Sequence, residues 1–226
     1  MKPRCSNQTN RALTLTEVLV SVGVVCVLAG VGYLALHRPK VVHRVVHQNQ
    51  SSEIQCVNNL KQIGLAFRIW EGDNGDKLPA QVSERKGGAM EPALRGNAAP
   101  IFQVMSNELA TPRVLLCPAD ADRFAAKSFT AGFDNSTVSY FAGVDAADSK
   151  PSMFLSGDEN FTIGSRPVKS GLLLLATNAP VSWTAARHVN KGNIGLADGA
   201  VQTTSSEFLR QLLVQTGAAT NRLAIP

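Results

Sequence analysis

The chain has 226 residues, 44% of them hydrophobic and 17% charged, with a formal net charge of +5. That is room for one apolar anchor and one modest globular domain, and little more. Three of the cations, Lys2, Arg4 and Arg11, lie in the first eleven residues, and without them the charge is +2. The rest holds no block of Lys and Arg interleaved with aromatics, so nucleic acid is not an expected partner.

The first element is an apolar run, 13–36, carrying one charge, Glu17. As a helix it would extend about 36 Å, enough to span a bilayer. A cleavable secretory signal has an apolar region of roughly 7–15 residues and a small-x-small site. This run is longer, and its far end, Tyr33-Leu34-Ala35-Leu36, has no such site. The expectation is therefore a retained single-pass helix. A carboxylate within it costs on the order of 3 kcal/mol, so Glu17 calls for a partner. The basic leader orients the N-terminus to the cytoplasm.

The leader, Arg11-Ala12, and the run Leu13-Thr14-Leu15-Thr16-Glu17 resemble the cleavage and methylation segment of type IV prepilins and type II secretion pseudopilins. Ala12 stands where that family has Gly, Leu13 where it has Phe, and Thr16 where it has an aliphatic residue. The resemblance implies cleavage between Ala12 and Leu13 by prepilin peptidase and N-methylation of Leu13. It also implies pairing of Glu17 with the amine of a neighbouring subunit in a filament. Its partners would be the peptidase, other pilin or pseudopilin subunits, an inner-membrane assembly platform and membrane lipid. The chain would be the substrate of an enzyme rather than an enzyme.

The expected fold is accordingly α+β and pilin-like, a long N-terminal helix with a membrane-spanning first half, packed on a small antiparallel β-sheet domain. The divisions are a leader over 1–12, a filament-core helix over 13–36, its juxtamembrane amphipathic continuation over 37–72, and an extracytoplasmic domain over 73–226. The alternative, from a different class, is a signal-anchored protein whose periplasmic binding domain never polymerises.

Beyond Pro39, which interrupts or kinks the helix, Ile54, Val57, Leu60, Ile63, Phe67 and Trp70 recur at spacings of three and four. They predict one helical stripe that packs on the domain. Gly72, Asp73-Asn74 and Gly75 end it. Cys56 and Cys117 are the cysteines left after the leader and the apolar run. In an oxidising compartment they either bond to each other or remain two buried thiols.

The segment Cys56-Val57-Asn58-Asn59-Leu60-Lys61-Gln62-Ile63-Gly64 carries a second resemblance, to pseudopilin-like proteins with such a helix. Their later landmarks match Cys117-Pro118-Ala119-Asp120, then His188, Gly192-Asn193 and Asp198-Gly199. The intervening loops at 75–113 and 145–169 are not covered by it.

Residues 75–112 read as irregular, with a short helix near 100–109. Strands are predicted at 113–117, 136–142 and 171–177. A hairpin follows, 193–197 and 200–204, turning at Asp198-Gly199. Ser205-Ser206-Glu207 then caps a helix over 208–215, ended by Gly217.

Several chemical candidates weigh little. His43 and His47 stand one helical turn apart but lack a third ligand. His188 and Asp198 resemble a base and its orienting acid, yet no nucleophile elbow accompanies them. Turn chemistry at Asp198 and Gly199, with His188 bonded to the hairpin backbone, is the better account. Asp120 and Asp122 are the first choice for hard-oxygen calcium ligation, ahead of Asp134/Asn135 and Asp158/Glu159/Asn160, though loop acids are usually only solvated. No other cofactor is expected, and Cys117-Pro118 lacks a second Cys at finger spacing.

Overall fold

The computed structural model describes residues 14–36 and 41–226, without the side chains of 17, 34–36 and 41–50. The chain divides into two compact units, Met1–Val46 and His47–Pro226. The first contains helix α1 (Leu15–Leu36). Its described side chains are apolar on every face and almost all exposed. Helix α2 (Val41–Asp73) follows.

The expected pilin-like arrangement is corrected here. Among the described residues no helix is long and apolar enough to cross a membrane. In place of one long helix on a small sheet there are two helices and a mixed helix and sheet body. That body is built on a six-stranded antiparallel sheet.

In the second unit, α2 buries Cys56, Leu60, Ile63, Phe67 and Trp70, spaced so that all five lie on one face. Ile54, predicted in that stripe, is 58% exposed. It precedes Cys56 by two residues, about 200° around the helix, and so faces the opposite way.

Residues 75–112 are more ordered than their composition predicts. They form 3-10 turns at Pro79–Gln81 and Glu84–Lys86 and the helices α3 (Met90–Leu94), α4 (Ala99–Gln103) and α5 (Ser106–Leu109). Ala89, Ala93, Ala98, Ile101, Phe102 and Met105 are buried against the α2 stripe. The expected strand at 113–117 is instead a 3-10 turn, Pro112–Leu115, capped by the Thr111 side chain. Proline at its first position presets the turn, and three apolar residues in a row do not separate strand from helix.

The sheet is ordered β5-β9-β1-β2-β7-β8, with β1 (Tyr140–Gly143), β2 (Phe154–Asp158), β5 (Gly171–Ala176), β7 (Lys191–Leu196), β8 (Val201–Ser205) and β9 (Thr220–Ile225). Strand β5 is an edge strand, and its outward Leu174 is 62% exposed. A second sheet joins β4 (Arg166–Pro167), β3 (Phe161–Ile163) and β6 (Val181–Trp183). Period-two alternation sends Tyr140, Ala142 and Leu155 into one core with α2. Phe141, Phe154, Leu223 and Ile225 enter a second core with α6 (Ser206–Gln215). Central strands covered on both faces leave little room for polar side chains, so those buried there need partners.

The β7–β8 hairpin turns at Asp198-Gly199. Asp198 Oδ1 accepts from the Ala200 backbone N–H at 2.8 Å, and Gly199 takes φ +89°, a conformation open to glycine at no steric cost. Ser205 caps α6, its hydroxyl accepting from the Phe208 N–H.

A buried Cys-Cys-His-Asp cluster

The sequence candidates converge at one buried place on the α2 side of the sheet. Cys56 comes from the buried face of α2. Cys117 follows the Pro112–Leu115 turn, and His188 comes from the loop between β6 and β7. Asp158 ends β2. The structure joins Cys56 to Cys117 in a disulfide, with Cα atoms 5.2 Å apart across a sequence separation of 61. In the chain-entropy picture a loop of that length is worth about 4 kcal/mol.

His188 Nε2 lies 3.3 Å from Cys117 Sγ and 3.4 Å from Asp158 Oδ2. The carboxylate beside this imidazole is thus Asp158, and Asp198 serves its own turn. Nor does His188 serve the hairpin backbone in the manner predicted. The hairpin reaches the cluster through Asn193, whose backbone N–H and side-chain amide both donate to Asp158 Oδ2, at 2.8 and 2.9 Å. Thr203 on β8 donates to Asn193 Oδ1 at 2.7 Å. A relay of side chains therefore runs from β8 through β7 and β2 to the disulfide.

Cys56, Cys117, His188 and Asp158 are all buried. Burial pushes the Asp158 carboxyl above its ordinary range, and the nearby His188 and the Asn193 bonds pull against it without reversing it. Asp158 Oδ1 and His188 Nδ1 have no hydrogen-bond partner. Buried orphans of this kind mark a strain reservoir or a function. The loop adds a second sign. Val189, directly after His188, takes φ +50°, an outlier for a β-branched residue and one that persists only where the surroundings impose it.

An ion-pair network borders the cluster. Arg187 donates to Asp120 Oδ2 at 2.6 Å, to Glu159 Oε1 at 3.0 Å and to the Ser139 carbonyl at 2.9 Å. Arg123 pairs with Asp120 and Glu159. Asp120 Oδ2 also accepts from Ser139, and its Oδ1 from the Asp122 N–H. With two guanidinium groups on it, Asp120 is a poor calcium ligand, because the positions a cation would take already hold positive charge.

Other predicted residues fall elsewhere. Ala12 and Leu13 lie outside the described residues, and so do the side chains of Glu17, His43 and His47. Asp134 caps the 3-10 turn Asn135–Thr137. The Cys117–His188–Asp158 grouping, by contrast, was missed in the sequence. Its members are 71 and 30 positions apart, and no local pattern links them. The Cys-Pro and the lone His were visible signals, but not their meeting.

No family model matches the chain, and neither a curated protein nor a solved structure is significantly similar to it.

Proposed function

We propose that this chain is a structural subunit, of the pseudopilin or minor-pilin kind, in a type II secretion-like or type IV pilus-like filament. It would be cut between Ala12 and Leu13 by prepilin peptidase, and the disulfide-bearing domain would lie outside the cytoplasm at the inner membrane. The observation that carries this reading is α1. Leu15, Leu19, Val20, Val25 and Leu28 are each more than 60% exposed, and they point around the full circumference of the helix. A helix apolar on all sides must be covered by something outside its own fold. In a filament the α1 helices of neighbouring subunits cover it. The disulfide supports export, since such bonds persist in oxidising compartments.

Glu17 then pairs with the N-terminal amine of the next subunit, which offsets the cost of burying its charge. A second reading, the non-polymerising binding domain, draws on a cleft of about 520 Å³ lined by Ser51, Gln55, Pro118 and Arg187 among others. Intact mass and N-terminal sequencing of protein from native membranes separate the two. The filament reading expects a start at Leu13 carrying one added methyl group. A start at Met1, in a host with active prepilin peptidase, overturns it and leaves the binding domain.

A further inference from the structure

The buried cluster has the composition of a soft-metal site. We propose that, once the Cys56–Cys117 bond is reduced, the pocket binds one zinc-class divalent ion through Cys56 Sγ, Cys117 Sγ and His188 Nε2, with Asp158 beside the fourth position.

The ligand atoms of Cys56, Cys117 and His188 all lie within 4.8 Å of one another. With Zn–S near 2.3 Å and Zn–N near 2.0 Å, a tetrahedral site places sulfur and nitrogen about 3.5 Å apart, and nitrogen and carboxylate oxygen about 3.3 Å apart. His188 Nε2 already stands 3.3 Å from Cys117 Sγ and 3.4 Å from Asp158 Oδ2. Those two separations are already of coordination size; the two sulfurs must part to about 3.8 Å, and Cys56 Sγ must settle about 3.5 Å from the imidazole nitrogen.

The donor set selects the metal. Two thiolates and an imidazole suit zinc, whereas calcium and magnesium require oxygen. Coordination through Nε2 places the ring proton on Nδ1, and no neighbour holds that nitrogen in the opposite tautomer. The anchoring is rigid: Asp158 is fixed by two donors from Asn193, and His188 lies in the strained turn before Val189.

The steps balance. A dithiol reductant closes to its own disulfide and delivers two electrons and two protons, giving two thiols. Metal binding then releases one proton from each thiol. The disulfide and the metal are thus alternative staples of the same two segments, α2 and the Cys117 turn.

This inference stands apart from the filament reading, and a Met1 start would leave it untouched. The test uses the full chain, reduced with a dithiol, freed of it by anaerobic gel filtration and titrated with Co²⁺. One ion per chain is expected, with the near-ultraviolet thiolate charge-transfer band and the intense visible bands of tetrahedral cobalt. The oxidised chain should show neither. Cys56→Ser should lose most of the charge-transfer band, and His188→Asn should weaken binding about 100-fold while keeping the native circular dichroism. If reduction unfolds the domain, stoichiometric Zn²⁺ should restore its native spectrum. A reduced chain that gives no 1:1 band, that binds equally well as His188→Asn, or that fails to refold with zinc overturns the proposal.

Discussion

Helices α1 and α2 adjoin in sequence and differ in what they ask of their surroundings. Helix α1 has no polar face among its described side chains and no buried stripe. Helix α2 buries Cys56, Leu60, Ile63, Phe67 and Trp70 and exposes Lys61, Leu65 and Arg68 to varying degrees. Periodicity lets a helix find its partner within its own chain, while uniform apolarity demands one outside it. The stability of the domain should therefore respond to mutations in α2 and not to those in α1.

The largest contrast is between core truncations of the two helices. Phe67→Ala removes a fully buried ring that packs edge-on against Phe102 at 6.1 Å. It should cost about 3–5 kcal/mol of domain stability, read as a lower urea midpoint. Val24→Ala in α1 should leave that midpoint unchanged. Equal shifts in both variants would collapse the comparison.

Next comes the staple that ties α2 to the body. Replacing both Cys56 and Cys117 by Ser should lower stability by about 2–4 kcal/mol. Thermal unfolding by circular dichroism, run without metal, would show it. An unchanged melting temperature would mean that the α2 stripe alone holds the helix.

The smallest effect lies in a half-exposed ion pair. Asp145 accepts from Arg222 Nε at 2.8 Å and from the Arg222 backbone N–H at 2.9 Å. Burial by itself would raise its carboxyl; these bonds outweigh that and hold it below the ordinary range. A depressed carboxylate adds stability that is present above the unfolded pKa and lost as pH falls through the folded one. The loss therefore falls below about pH 4. Because Arg222 is partly exposed, it should amount to less than about 1 kcal/mol. An Asp145→Asn chain should show a correspondingly flatter acid limb, and an unaltered limb would remove this pair from the account.

The parts of the fold legible in the sequence share a reason. The β7–β8 hairpin, the Ser205 cap and the end of α6 before Gly217 rest on contacts a few residues apart, which turn and cap chemistry specify. The α2 stripe was legible from Leu60 to Trp70, and only its first turn was misplaced. Ile54 fits a three-or-four spacing with Val57, yet the buried face is set by Cys56 and the residues in register with it. Residues 75–112 read as irregular because helices of four or five residues are too short for periodicity to register. Small alanines buried at Ala89, Ala93 and Ala98 also look like loop composition until something packs on them.

Local patterns in the sequence determined the elements with strong periods and the chemistry of the turns. They also singled out Cys56, Cys117 and His188 as residues of interest, each by itself. Only the tertiary structure decided which carboxylate His188 meets. Asp198, the nearer in sequence, is held by the Ala200 N–H, and Asp158 is carried to His188 by the pairing of β2 with β7. Strand pairing joins residues without regard to their distance along the chain, so a site assembled across strands and a helix leaves no local spacing by which to find it.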